Sequence, residues 1–198
     1  MTTDISPQSV LEIIIENINN LNNQCSDAAV LLAITQEAQP KILLTSRSLT
    51  MRHHAGEVSL PGGCRESFDY SNVDIVLREV YEELGLKSEH ISILGELPTQ
   101  QSLSGLTVTP LVALIPPNLQ LDPNPTEVSD IFYIPLNYFL TEDTKSYEAQ
   151  YPSGLVEVSS IHFKEKIIWG LTAKIIISLF EEALNHKKDW VFYSKSLA

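Results

Sequence analysis

The sequence predicts an α/β chain in which strands and amphipathic helices are interleaved along one domain, residues 1–198. Three observations carry this expectation. Apolar runs of strand length recur at 28–35 (AAVLLAIT), 41–46 (KILLTS), 91–97 (ISILGEL) and 108–115 (VTPLVALI). Around them, apolar residues repeat at helical spacing through about 6–21 and 71–84 and, after a lead-in at 168–173, on to about 184. The breaks between these stretches are short and rich in Asn, Pro and Gly, with no internal repeat and no linker long enough to separate domains. A chain of this length can bury a full core as a single unit.

Taken in order, Ser6-Pro7 reads as a helix start, with Ser at the N-cap and Pro at the first helical position. Val10, Leu11, Ile14, Ile18 and Leu21 continue that helix to about residue 21, where the Asn-rich run 19–23 ends it. Residues 28–35 form a strand, 36–40 a turn, and 41–46 a second strand antiparallel to the first. Residues 57–60 form a short strand leading into a tight Pro61-Gly62-Gly63 turn. Ser71, with Asp74 three residues on, opens a helix that Gly85 closes. A strand over 91–97 and a polar loop over 100–107 follow. The next strand, 108–115, contains Pro110, which predicts an edge position or a bulge. After a Pro-rich loop (116–126) come a strand to Pro135 and a short helix over 136–140. Residues 145–150 and 156–164 pair as a hairpin about Tyr151-Pro152-Ser153-Gly154. Residues 168–173 lead into the last helix, with Ile175, Ile176, Leu179 and Ala183 on its apolar face. The tail from His186 carries no clear pattern.

The chemistry concentrates in 61–86, PGGCRESFDYSNVDIVLREVYEELGL. On a helix over 71–84, Val73, Leu77, Val80 and Leu84 fall on one stripe. Glu79, Glu82 and Glu83 fall on another face, within an arc of about 100°. Like charges so placed repel one another. A solvated acidic face is one outcome. The other is a divalent cation that favours oxygen, such as Mg²⁺, which binds few carboxylates and completes its shell with water and phosphate.

The surrounding residues select the second outcome. Arg78-Glu79-Val80, Glu82-Glu83 and Gly85-Leu86, with Gly63 upstream, resemble the Nudix box, here about 63–86. Fourteen residues separate Gly63 from Arg78 where the general pattern has thirteen, and Asp69 stands in place of the first glutamate. Both departures resemble the coenzyme A pyrophosphatase branch of the Nudix hydrolases. So does the segment Leu43-Leu44-Thr45-Ser46-Arg47-Ser48, Arg52, Gly56, Leu60-Pro61-Gly62-Gly63, in which only Leu60 replaces the usual Phe. Weaker echoes lie at Asn124-Pro125-Thr126-Glu127-Val128 and at 168–173.

The resemblance implies the Nudix fold, a mixed β-sheet sandwiched between helices. It implies metal-assisted hydrolysis of a nucleoside diphosphate linked to another group, with Mg²⁺ or Mn²⁺ as cofactor. Coenzyme A or its thioesters would be cut into 3′,5′-ADP and 4′-phosphopantetheine. Under this reading Glu79 and Glu83 are metal ligands, with Glu82 beside them as ligand or base and the Gly63 carbonyl facing the metal. Arg78 orients a box carboxylate. Arg47 and Arg52, fork-shaped cations suited to phosphate, hold the diphosphate or the 3′-phosphate, with His54 and Asp69 as further substrate contacts. Glu127 is a candidate for a supporting place or for water activation. The same chemistry on ADP-ribose or a dinucleotide, and a Nudix domain that binds without cleaving, remain as alternatives.

Charge and composition narrow the partners. The formal net charge is −12, from 25 acidic and 13 basic residues, which argues against nucleic acid and against an anionic membrane surface. A small nucleotide is not excluded, because a local cation and a few arginines reverse the field inside a cleft. Two cysteines, Cys25 and Cys64, suit neither a zinc site nor a redox pair. With no basic leader at the start and no apolar run of about 18 residues, the expected location is cytoplasmic. A homodimer is compatible with this sequence, which does not fix the oligomeric state.

Overall fold

The computed structural model describes residues 6–22, 24–151 and 154–190. A central mixed sheet lies between helices, as expected. Helix α1 (Pro7–Asn17) precedes β1 (Ala28–Thr35) and β2 (Lys41–Arg47), which are antiparallel. Two short strands follow, β3 (Val58–Ser59) and β4 (Gly62–Cys64), and then helix α2 (Asn72–Leu84). Beyond it lie β5 (Ser92–Glu96), β6 (Gln100–Gln101), β7 (Thr107–Ile115) and β8 (Val128–Pro135). A short helix α3 (Tyr138–Thr141) leads to β9 (Lys145–Tyr151), β10 (Gly154–Phe163), β11 (Lys166–Trp169) and helix α4 (Gly170–Leu184).

The sheet runs β5–β7–β1–β2–β8, with β1 and β7 parallel and the other pairs antiparallel. Strands β9, β10 and β11 form a separate antiparallel sheet. Alternation along the central strands sorts the core into two layers. Leu32, Ile34, Ile42, Leu44, Val112 and Leu114 face α1 and α4. Ala29, Leu31, Ala33, Leu43, Leu111 and Ala113 face α2. Both faces are covered, which explains why β1 and β7 read as continuous apolar runs.

The detail that matters for function is a split between β1 and β2. They meet at Ile34 and Ile42, then diverge. Strand β3 continues along β2 at Thr45 and Ser46, while β4 continues along β1 at 28–30. The Leu31 amide donates to the Pro61 carbonyl at 2.8 Å and closes the wedge. The expected Pro61-Gly62-Gly63 turn is therefore a strand entry as well. Gly62 is needed there: at φ +140° a Cβ would sit 2.4 Å from the Ala29 carbonyl oxygen.

Several element expectations change. Helix α1 ends at Asn17, not near 21, and Leu21 is exposed. The chain must turn there to lie against β5, where the Asn20 backbone packs on Gly95 and its carbonyl accepts from the Glu96 amide at 2.6 Å. Pro110 lies in the interior strand β7, not at an edge. It occupies the gap between the partners β5 and β6, so its missing N–H leaves no ladder bond unmade. Part of the loop 100–107 pairs as β6. Residues 166–169 form a third strand on the expected hairpin, whose Pro152 and Ser153 lie outside the described residues. Among the described residues no helix is long and apolar enough to cross a membrane.

Candidate active site

Helix α2 begins and ends as its sequence dictates. The Ser71 hydroxyl accepts from the Asp74 amide at 3.1 Å, and Gly85 closes the helix in the left-handed region at φ +64°. The buried stripe is rotated from the expected one. Ile75, Val76, Val80 and Leu84 are buried, while Val73 and Leu77 lie at its margin. This rotation turns Glu83 and Glu79 inward, toward the split in the sheet, and leaves Glu82 54% exposed.

Glu83 is only 7% exposed and accepts from the Gly62 amide at 3.0 Å. Burial pushes its carboxyl up to about 7, with Glu79 and Glu127 adding to the rise, while the Gly62 amide and Arg47 oppose it. Burial raises Glu79 as well, against the pull of Arg78. Gly63 lies against Glu79, where a Cβ would come within 2.5 Å of the carboxylate. Only glycine allows this approach of backbone to acid. Replacing Gly63 with alanine should displace Glu79, whose side-chain end can move, while sparing the backbone. Hydrolysis is expected to fall about 10–100-fold with little change in melting temperature, and kinetics alongside thermal unfolding checks both.

Arg78 is the clamp of the site. It bonds both Asp69 oxygens, at 2.8 and 3.3 Å, and the Cys64 carbonyl at 2.9 Å. Its other terminal nitrogen reaches Glu79 at 2.8 Å and Glu82 at 3.3 Å. Phe68 lies over the guanidinium, 5.7 Å away. Asp69 is buried, and its Oδ2 also accepts from the Glu66 amide at 2.8 Å. Its carboxyl is held below the usual carboxylate range, chiefly by Arg78. Asp69, expected among the substrate contacts, is thus placed behind Arg78, with both oxygens engaged.

Arg47 ends β2 beside the split, and its buried Nε has no hydrogen-bond partner. An orphaned guanidinium N–H, on a side chain whose charge acts on Glu83, calls for an acceptor that the protein itself does not supply. Arg52 and His54 lie in the exposed loop 48–57 at the same end of the sheet. His54 pairs with Glu57 at 3.1 Å, and neither residue bonds the acidic group. Glu127 is the residue whose place the sequence signalled least. Its amide donates to the Asn124 carbonyl and its carbonyl accepts from Ser48, while Asn124 is tied to the Glu83 carbonyl at 2.9 Å. These bonds hold its half-buried carboxylate near enough for its charge to act on Glu79 and Glu83.

All the donors are oxygens, which suits a hard divalent cation. Among the described residues no three acidic, His or Cys side chains already converge on one point, and Arg78 holds Glu79 and Glu82. The fit rests on the glycine cradle at Glu79 and on buried carboxylates that Arg78 only partly neutralises.

A sheet split by a glycine entry thus faces a helix that turns two glutamates inward under an arginine clamp. The NUDIX domain model matches residues 26–153, and the chain belongs to the Nudix family. It is 39% identical over 163 residues to a Photorhabdus laumondii protein named as an uncharacterized Nudix hydrolase, NudL, covering 82% of this chain and 87% of that one. A Pectobacterium atrosepticum protein of the same name is 36% identical, over 79% and 82%. Among solved structures, a MutT/nudix family protein from Enterococcus faecalis matches with a TM-score of 0.51 at 17% identity, over 90% of this chain and 69% of that one. That likeness concerns the fold alone. Strands β10 and β11 and helix α4 lie beyond the matched residues.

Proposed function

We propose that this Nudix hydrolase cleaves the diphosphate of coenzyme A or its thioesters, releasing 3′,5′-ADP and 4′-phosphopantetheine. The observation that carries the diphosphate reading is Arg47, whose buried Nε has no partner and whose charge acts on Glu83. The choice of coenzyme A is supported by the run from Leu43 to Gly63, in which Arg47, Arg52, Gly56 and Pro61-Gly62-Gly63 keep the spacing of that branch.

In this reading a water oxygen bonds to one phosphorus, the bridging P–O bond breaks, and the water gives its proton to a carboxylate of the site. Arg47 takes a phosphate oxygen, and Arg52 is free in its loop to meet a second phosphate. Arg78 fixes Glu79 and Glu82, and Asp69 fixes Arg78. Mg²⁺ or Mn²⁺, held by Glu79 and Glu83 with Glu82 and the Gly63 carbonyl alongside, would neutralise the diphosphate charge. Incubation with coenzyme A, ADP-ribose and NADH, each with Mg²⁺ or Mn²⁺, tests the substrate by product analysis. We expect 3′,5′-ADP from coenzyme A at a kcat/KM at least tenfold above the others. A preference for ADP-ribose or NADH overturns the choice of coenzyme A.

A further inference from the structure

A second cleft, of about 520 Å³, lies outside the acidic site and is bounded by Phe132 and Tyr133 of β8, Leu119 and Phe163. Neighbouring residues of a strand point to opposite faces of its sheet. A cleft that touches both Phe132 and Tyr133 therefore straddles the strand's edge. Among the described residues strand β8 pairs only with β2, so that edge carries backbone groups without a sheet partner there.

The hydrogen bonds of β2 show which groups these are. The Arg47 amide donates to Glu57 at 2.9 Å and its carbonyl accepts from Gly56 at 3.2 Å, so Arg47 turns away from β8. Such directions alternate along an antiparallel strand. Ser46, Leu44 and Ile42 therefore face β8, and their partners Asp130, Phe132 and Ile134 spend their backbone groups on β2. The Leu136 amide, which bonds to the Pro40 carbonyl at 2.8 Å, keeps the same parity. Ile131 and Tyr133 are left with N–H and C=O pointing outward, about 7 Å apart along the strand; Tyr133 lines the cleft, and Ile131 lies between its lining residues Asp130 and Phe132. Pro135, with no N–H to offer, holds the next outward position.

The charge of the cleft suits a neutral guest. Its three lysines face three acids, with Lys41 bound to Glu37 at 3.1 Å and Lys166 to Asp130 at 2.6 Å. The walls at Leu119 and Phe163 flank the edge, so it can admit a single extended chain more readily than the sheet edge of another folded copy. Along β8 this edge leads toward the acidic site, since Ile131 pairs with Thr45, two residues before Arg47 on β2. Asp130 lies two residues from Val128, the partner of Arg47, and Lys166 also donates to the Ser46 hydroxyl, next to Arg47.

We propose that the outward edge of β8 at Ile131 and Tyr133 is the subsite for an extended, uncharged, amide-bearing arm of the substrate, which adds to the sheet as a short strand. This rests on the coenzyme A reading, since the pantetheine arm carries two secondary amides on a flexible chain. The edge supplies matching donors and acceptors.

The test is residue-resolved amide exchange by NMR on the Glu83→Gln variant, which slows turnover. Coenzyme A is compared with 3′,5′-ADP, which has the nucleotide but no arm. Exchange at Ile131 and Tyr133 is expected to slow at least tenfold with coenzyme A and to stay unchanged with 3′,5′-ADP, while Asp130 and Phe132 are already protected. Ile131→Pro, which removes one outward donor and no ladder bond, should raise KM for coenzyme A about tenfold. It should leave the inhibition constant of 3′,5′-ADP unchanged. If coenzyme A is cleaved but the two amides stay unprotected, or 3′,5′-ADP protects them equally, the subsite is wrong and the substrate reading stands. If coenzyme A is neither bound nor cleaved, both fall. Should the proline variant fail to fold, the exchange experiment still decides.

Discussion

Replacing Glu83 with glutamine is expected to lower hydrolysis about 10²–10⁴-fold, the range for losing a carboxylate that takes part in proton transfer or charge placement. The same change should make the metal-free protein more stable above neutral pH. Glu83 is buried, and its carboxyl is pushed up to about 7. A carboxyl raised in the folded state favours folding fully below its unfolded value. That contribution is lost as pH rises to the folded value, because the unfolded chain releases a proton that the folded one still holds. Between about pH 4.5 and 7 the wild type therefore loses up to about 3 kcal/mol on this account. Glutamine has no charge to bury and can still accept from Gly62. The variant should melt on the order of 5–10 °C higher at pH 8, with the gap closing near pH 4.5. Adding Mn²⁺ should raise the wild-type melting temperature and narrow the gap. Equal melting of the two proteins at pH 8 without metal would remove the buried charge from the account of this site.

Arg78→Ala should be the most destabilising single change at the site, by about 3–5 kcal/mol near neutral pH. It strands the buried Asp69 carboxylate without its cation. The sign of its pH dependence is opposite to that of Glu83. The Asp69 carboxyl is held down in the folded state, so its contribution is present above the unfolded value and is lost as pH falls through the folded one. The penalty of Arg78→Ala should shrink as acid protonates Asp69. Adding Asp69→Asn should recover some of the loss at neutral pH, because an amide needs no counter-charge. Urea denaturation of the two single variants and the double variant measures the coupling. If Asp69→Asn makes Arg78→Ala no better, the clamp is not the role of this pair.

Much of this site is legible in the sequence because it is local. Ser71, the glutamates and Gly85 fall within one helix and its caps, where spacing alone dictates geometry. What spacing does not supply is the rotation of the helix. Val73 and Leu77 fit an apolar stripe by periodicity, but Ile75 and Val76 are the residues pressed on β1 and β7. That choice decides that Glu83 is buried and Glu82 is not. Asp69 illustrates the same limit. Its distance from Arg78 along the chain says nothing of the loop that folds it back onto the guanidinium. Glu127 comes to the site from the turn ahead of β8, and the bond from Ser48 that places it there spans a distance along the chain that the local run 124–128 does not signal. The short α1 and the interior Pro110 escape a local reading for one reason: each is fixed by a strand distant in sequence.

The parallel pairing of β1 with β7 has a consequence for the order of assembly. Ala28 pairs with Val108, 80 residues later (108 − 28 = 80), and both glycine entry and acidic helix are encoded inside that span. Closing so long a loop costs entropy before any contact repays it, and chains dominated by such distant pairings fold slowly. During synthesis, α2 leaves the ribosome before the strand that completes the sheet beneath it. Its inward glutamates gain their low-dielectric setting only after residue 115 has emerged and β7 has docked, so catalytic competence is a late event in the life of a nascent chain.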